Sequence, residues 1–470
     1  MDFKEVSRNV WEFREEGMNS PLRVVAGKKL LEKMQGDRTI RQAVNVSKLP
    51  GLLGNVFVMP DGHEGYGFPI GGVAGFGENG VVSPGGVGYD VNCGVRLIST
   101  GLTIDEVKPK LKELVESLYV NIPVGVGSKS KIHLKPAELD EVLTLGADWA
   151  VEHGMGEKRD LKFCEENGRM EGADPLKVSS LAKQRGGPQL GTLGSGNHFL
   201  EVQLVEKTFD EGVAKKFGVE QGMATVMVHT GSRGFGHQVC EDYVKTMLSV
   251  EQKYNLNLPD KELACAPLGS PEADDYLKAM SCAVNYAFCN REIITSWVRN
   301  VFEKILPSSE MKLVYDVAHN IAKFEEHEVN GEKRKVCVHR KGATRAFWKG
   351  RKEIPSEYRG IGQPVIIPGS MNTSSYLLLG LEGAKQTFGS SCHGAGRVMS
   401  RHEALRTFEG GALKKGMEDK GQVVRAPSLK GLAEEAGGAY KDVDEVVKSV
   451  EDAGISKIIA KMLPLGVIKG

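Results

Sequence analysis

The sequence predicts a single large α+β domain. Three observations carry that reading: strand-like and helix-like patterns both recur along all 470 residues, no linker divides them, and the motifs suited to chemistry are spread from Asp90 to His393. Length alone would allow two or three average domains. A site assembled from motifs so far apart needs one body.

Composition narrows the partners. Lysine plus arginine equals aspartate plus glutamate at 61 each, so no global field draws the chain to nucleic acid or membrane, and a polyanion has to be met by a local patch. Glycine, at 58 residues, exceeds the usual share of roughly 7%. The excess gathers in motifs, which points to loops that approach a ligand. Eight cysteines lie scattered without paired spacing, as expected in a reducing compartment, and a cytoplasmic location follows. The opening MDFKEVSRNVWEF lacks the apolar core of a signal peptide. No window approaches the roughly 18 apolar residues of a membrane span, so no membrane partner is expected.

In chain order, Leu52 to Phe76 is apolar and β-branched, broken by MPDGHEGYGFPIGG. Asp61 and His63 stand in that break, either as a turn or as groups that orient ligands. VRLIST, after Gly94, reads as a buried strand. Leu111, Leu114, Val115 and Leu118 recur at helical spacing after Pro109, and Leu139, Val142, Leu143 and Trp149 predict a helix closing near Gly154. Residues 154–182 are polar and expected as a surface excursion. Ser270-Pro271-Glu272 opens a long helix through Ile305, and Val443, Val446, Val447 and Val450 mark the last one. Between these, 414–438 is polar and turn-rich, and the closing KMLPLGVIKG is apolar enough to dock.

The chemistry centres on GGVGYDVNCGV, where Asp90 and Cys93 stand three apart among glycines. A carboxylate oxygen and a thiolate are metal ligands, and the sulfur can hold two ions. The alternative is a buried cysteine acting as a small hydrophobe. His198 in LGSGNHFLE, His229 in MVHTGSRGFGH and His319 in YDVAHNIA complete a mixed donor set large enough for two ions. Spacing alone favours zinc. A further motif, SSCHGAGRVMSRHEALRTF, presents His393 between small residues, with helical character expected at once so that free N–H groups and Arg397 face an anion. His393 is then a donor to phosphate or a nucleophile forming a phosphorus–nitrogen bond, with Cys392 the alternative nucleophile. The run 333–352, KRKVCVHRKGATRAFWKGRK, interleaves basic residues with Phe347 and Trp348. It suits an RNA path, or equally a solvated face.

PGGVGYDVNCGVR, GSGNHFLE, HTGSRG, DVAHN, PGSMNTSSY and SCHGAGR, in that order, resemble the RtcB family of tRNA-splicing RNA ligases, its archaeal members most of all. The resemblance runs from about Met59 to the terminal Ile-Lys-Gly, without an inserted self-splicing segment. It implies mixed β-sheets flanked by helices around a central metal cleft. Its ligands would be Asp90, Cys93, His198, His229 and His319, with Cys93 bridging two manganese ions that zinc can replace. It implies GTP as co-substrate and His393 as the residue that carries GMP, then an RNA 2′,3′-cyclic phosphate or 3′-phosphate end joined to a 5′-hydroxyl end, as in tRNA halves. The nucleotide would meet Asn197, His198, Phe199, Leu200, Glu201, His319, Asn320, Pro368, Gly369, Ser370, Met371, Ser375, Gly394, Ala395, Gly396, Tyr440 and Lys469. Glu201 and Lys469 would read guanine, while Arg185, Arg233, Lys341 and Arg345 are candidates for RNA contact. An archease-type activator belongs to the same resemblance. Two rivals remain: a two-metal phosphoesterase that opens cyclic ends without nucleotide, and a metal-stabilised RNA-binding protein.

Overall fold

The computed structural model describes all 470 residues, and two mixed β-sheets organise them. The first sheet runs Lys4–Ser7, Val10–Phe13, Leu22–Val25, Leu52–His63, Ile70–Phe76, Glu332–Lys341, Asn320–Val329. The second runs Lys312–Ala318, Gly94–Thr103, Met223–Thr230, Phe199–Thr208, Ser456–Lys469, Ser375–Gly380, Pro364–Ile367, and Val423–Arg425 joins Ser456–Lys469 in parallel. The apolar C-terminal segment therefore lies mid-sheet.

Alternation sorts the side chains of the second sheet into two cores. Ile98, Val202 and Val226 face Leu114, Leu118, Ile294 and Val298 of two helices, while Leu97, Met227 and Val314 pack on the other side with Phe347 and Leu377. Both faces are covered. Such strands read as nearly continuous apolar text, as VRLIST does.

The helix Pro271–Ile305 begins where the sequence indicated: Ser270 Oγ accepts from the Ala273 N–H at 3.3 Å and Pro271 fills the first turn. Its middle is buried almost all round, because helices Arg233–Ser249, Pro136–Leu145 and Ala147–Glu152 pack against it. The helix expected over 139–154 is two, broken at Gly146, whose φ of 60° suits glycine. Lys312–Ala318 belongs to the second sheet and Asn320–Val329 to the first, so His319 alone spans the crossing.

Two expectations need correction. No helix starts at His393; the next one is Arg401–Thr407, since the glycines of HGAG do not favour a helix. The basic run is not one exposed face either. Only its two ends are exposed, Lys333–Lys335 in a hairpin strand and Lys349 and Lys352 in the loop that closes the run. Arg340 is buried on Glu325 at 2.7 and 2.8 Å and Phe347 is fully buried. Residues 154–182 are mostly exposed or half-buried and are tied down at two points, where buried Asp160 pairs with Arg299 at 2.6 Å and buried Glu165 with Lys323 at 2.9 Å. No helix is long and apolar enough to cross a membrane.

Candidate functional site

Strand register sets the site. Val95 pairs with His229, His229 with Phe199, Gly94 with Ala318 and Phe199 with Lys469. Cys93, His198 and His319 stand just beyond three of those strand ends, so they form a row with His229 and Lys469 across one end of the second sheet. Asp90 joins them because the loop turns back: the Cys93 N–H donates to the Asp90 carbonyl at 2.9 Å, with Asn92 at a φ of 53°. Asp90 Oδ2 lies 2.9 Å from His198 Nε2, and the Cys93 sulfur lies 3.5 Å from that nitrogen and 3.3 Å from His229 Nε2. The His229 and His319 ring centres are 5.4 Å apart.

Neighbours hold the other edge of each ligand. His198 Nδ1 donates to the Leu193 carbonyl at 3.0 Å, His319 Nδ1 meets Thr344 Oγ1 at 2.9 Å, and Asp90 Oδ1 accepts from the Ser232 N–H at 2.9 Å. His319 Nε2 and His229 Nδ1 are buried without any partner. Burial drives the three imidazoles below their usual pKa and the Cys93 thiol well above its own, the Asp90 charge adding to the latter. Burial would also raise Asp90, but His198 outweighs it and keeps the carboxylate ionised. A divalent cation fits this set: it takes neutral imidazole and ionised carboxylate as they stand, and its charge favours the thiolate. Asp90, Cys93 and His198 form one donor group with ligand atoms within 4.8 Å of one another. The same sulfur reaches His229, with His319 beside it.

His393 faces His319 with ring centres 5.3 Å apart. Its Nδ1 lies 2.5 Å from Asp61 Oδ2, which also accepts from the N–H groups of His393 at 2.8 Å and Gly394 at 3.1 Å. These N–H groups thus hold Asp61 instead of facing an anion freely, and Asp61 is an orienting group rather than a turn. Burial alone would raise its pKa; His393 and then Lys441 outweigh that and lower it. Lys441 fastens the arrangement, its ammonium donating to the Pro60 and Gly62 carbonyls and its own N–H to Gly396 O at 2.8 Å. Nε2 of His393 is left toward a cleft of about 510 Å³. Cys392 is fully buried, with its thiol pushed well above its usual pKa by burial, which removes it as a nucleophile.

The comparisons with known proteins agree with this geometry. The family model described as "tRNA-splicing ligase RtcB" matches residues 42–470. Proteins named tRNA-splicing ligase RtcB from Thermococcus kodakarensis and Archaeoglobus fulgidus are each 56% identical, over 99% of this chain and 98% of theirs. The one from Nanoarchaeum equitans is 51% identical over the full length of both. The chain belongs to the RtcB family. It is an RNA ligase by that membership, and the RtcB motifs converge on the cleft just described.

Of the nucleotide residues that the RtcB resemblance implied, Asn197, His198, His319, Asn320, Pro368, Gly369, Ser370, His393, Gly394, Ala395, Gly396, Tyr440 and Lys469 line the cleft. Phe199, Leu200, Glu201, Met371 and Ser375 do not. Leu200 packs in the helix-side core, and Met371 with Met417, Val424 and Leu432. Glu201 lies behind the wall: its Oε2 accepts from Gln203 Nε2 at 2.7 Å, its Oε1 has no partner, and burial pushes its pKa up to about 8. The acid that lines the cleft beside Tyr440 and Lys469 is Glu435, which sequence reasoning missed. It lies 3.3 Å from Arg397, 3.6 Å from Arg401 and 3.8 Å from Lys469, and accepts from the Tyr440 hydroxyl.

The RNA candidates divide. Arg233 and Lys341 line the cleft and Arg185 is exposed. Arg345 is closed off, 3.6 Å from Glu165, 3.3 Å from Glu166 and 3.0 Å from the Tyr315 hydroxyl.

Proposed function

We propose that this RtcB-family chain joins an RNA 3′-phosphate to a 5′-hydroxyl through a His393–GMP adduct, with GTP as co-substrate and manganese as the working cation. His393 Nε2 attacks the α-phosphorus of GTP, the bond to the β-phosphate breaks, and pyrophosphate leaves with the electron pair. An oxygen of the RNA 3′-phosphate then attacks that phosphorus and the phosphorus–nitrogen bond breaks, restoring His393. The 5′-hydroxyl oxygen attacks the RNA 3′-phosphorus, loses its proton, and GMP departs. A 2′,3′-cyclic end is first opened by water. Cations held by Asp90, Cys93, His198, His229 and His319 would draw charge from phosphate oxygens and make water or hydroxyl more acidic; zinc suits the same donors.

One observation carries the reading: a buried carboxylate grips His393 Nδ1 at 2.5 Å. A nucleophilic imidazole needs its lone pair on one chosen nitrogen, and this contact puts the proton on Nδ1 and the lone pair on Nε2. Lys469 and Glu435, both on the cleft wall, support guanine selection, and the Arg397–Arg401–Lys469 cluster supports an anionic nucleotide. The eight free, buried cysteines suit a reducing cytoplasm.

Incubation with GTP labelled at the α-phosphate and manganese tests the proposal. The expected result is an acid-labile, base-stable labelled band that His393→Ala abolishes. No band from the native protein would overturn the adduct, and cyclic-end opening without GTP or joining would favour the phosphoesterase.

A further inference from the structure

Three rings on the cleft wall have no part in the nucleotide chemistry. Tyr66 lies between the strands Leu52–His63 and Ile70–Phe76, Tyr89 precedes Asp90, and His237 rides on the helix Arg233–Ser249. All three line the cleft. The Tyr66 and Tyr89 ring centres are 5.5 Å apart at 67°, and those of Tyr89 and His237 are 5.9 Å apart at 33°. Three remote segments thus deliver a ladder that climbs from half-buried Tyr66 and Tyr89 to exposed His237.

The ladder is held from behind. Lys341 Nζ donates to the carbonyls of Tyr66 at 2.5 Å and Phe68 at 3.0 Å, so Tyr66 is fixed through its backbone and its ring is left free. Tyr66 and Tyr89 rest their inner edges on the main core. Cations stand near the helix that carries His237: Arg233, in its first turn, lines the cleft with its guanidinium turned to His198 Nδ1 at 3.2 Å, and exposed Arg185 stands over the start of the same helix, its Cβ 3.5 Å from the Cβ position of Gly234. Rings interleaved with cations are how proteins hold single-stranded nucleic acid, because every base has a face to stack whatever its sequence.

The residues implied for the nucleotide, Pro368–Ser370, Tyr440 and Lys469 among them, line the same cleft, and none of the three rings is one of them. A cleft of about 510 Å³ admits a nucleotide or two but no duplex. We propose that Tyr66, Tyr89 and His237 form a stacking platform for the unpaired terminal base of an RNA end, beside Asp90 and on residues that the nucleotide does not use. This rests on the ligase reading, and it explains how ends of any sequence reach one metal cluster in a fixed pose.

The test is a cycle between ring and base. Short RNAs with a 3′-phosphate or a 5′-hydroxyl, each with its terminal base present or replaced by an abasic sugar, are bound to native protein and Tyr89→Leu in manganese, and affinity is read by fluorescence anisotropy. Stacking predicts that losing the base weakens native binding about tenfold at the engaged end. Tyr89→Leu should bind intact RNA about tenfold more weakly, and abasic RNA no worse than the native protein does. Tyr89→Phe should restore affinity, and the two RNA series identify which end is held. Independent, additive losses, or no effect of the base at either end, would overturn the platform. Should Tyr89→Leu fold poorly, His237→Ala on the exposed helix face runs the same cycle. Labelling by GTP in the same samples separates the two ideas: an adduct without base dependence sinks the platform alone, whereas no native adduct sinks the ligase reading.

Discussion

Asp61 decides which nitrogen of His393 meets a phosphate. Its Oδ2 accepts from three N–H groups, so an amide at this position would set N–H against N–H or turn the ring. Asp61→Asn should therefore slow His393 labelling by about 10²–10⁴-fold, as when an aspartate that fixes a catalytic histidine's tautomer is made neutral. Circular dichroism should be unchanged; labelling at the native rate would show that Nε2 needs no such control. Glu201 gives a prediction of opposite electrostatic sense. Burial pushes its pKa from 4.5 up to about 8, with Gln203 and Lys469 opposing. The folded protein then holds a proton that the unfolded chain has lost between about pH 4.5 and pH 8, so this group's support is full below that window and gone above it. Glu201→Gln keeps the neutral shape, so its Tm relative to the native protein should rise by about 1–3 °C between pH 5 and pH 8. A flat difference would mean that Glu201 is ionised when folded. The metal ligands were legible because each stands among glycines or at a strand end. Asp61 was visible but ambiguous, and Glu435 and Lys441 were invisible, since a lone charge in polar text gives no sign that folding will bury it.

At the scale of elements, the helix Pro271–Ile305 aligns the ligand-bearing segments. Arg291 donates to the Asn92 carbonyl at 2.8 Å, the Thr230 carbonyl at 3.1 Å and Asp316 at 2.8 Å, touching the residues beside Cys93 and His229 and the strand that leads to His319. Asn290 accepts from the Gly191 N–H at 2.7 Å and donates to the Gly231 carbonyl at 3.1 Å, tying the loop before His198 to the end of the His229 strand. A planar fork serves several acceptors where an ammonium serves as a point charge. Arg291→Lys keeps a cation near Asp316 but gives up the fork, so manganese affinity should fall about 10–100-fold, the usual cost of disturbing the groups behind metal ligands. Titration followed by electron paramagnetic resonance reads this directly, with helix content as the control. Undiminished affinity would mean that the strands hold their ligands unaided. The helix itself was legible from its cap and periodicity. Its role was not, because Asn290 and Arg291 read as ordinary polar positions until four partner segments arrive, from about 25 to 200 residues away in sequence.

Across the whole molecule, the cation site joins parts that the chain keeps distant. One domain was legible because the motifs had to converge, but the pairing of the N-terminal strands with the hairpin Asn320–Lys341 was not, since register over such separations leaves no local pattern. Donors from a loop at 90–93, from strand ends at 198 and 229, and from the sheet crossing at 319 come together only in the folded state. A ligand that binds only the native state stabilises it by RT ln(1 + [L]/Kd), about 2.7 kcal/mol at one hundred times Kd. Manganese should therefore raise Tm by a few degrees and a chelator should reverse the rise. Because burial and Asp90 hold the Cys93 thiol protonated without a cation, binding has to displace that proton, and the rise should be larger at pH 8 than at pH 6. Cys93→Ala separates a catalytic site from a structural staple. The side chain is small and buried, so its loss should leave the metal-free Tm nearly unchanged while removing most of the manganese-dependent rise, read by scanning calorimetry with and without chelator. A variant that fails to fold would instead assign Cys93 to the core, and one that keeps the full rise would place the cation away from the row of strand ends.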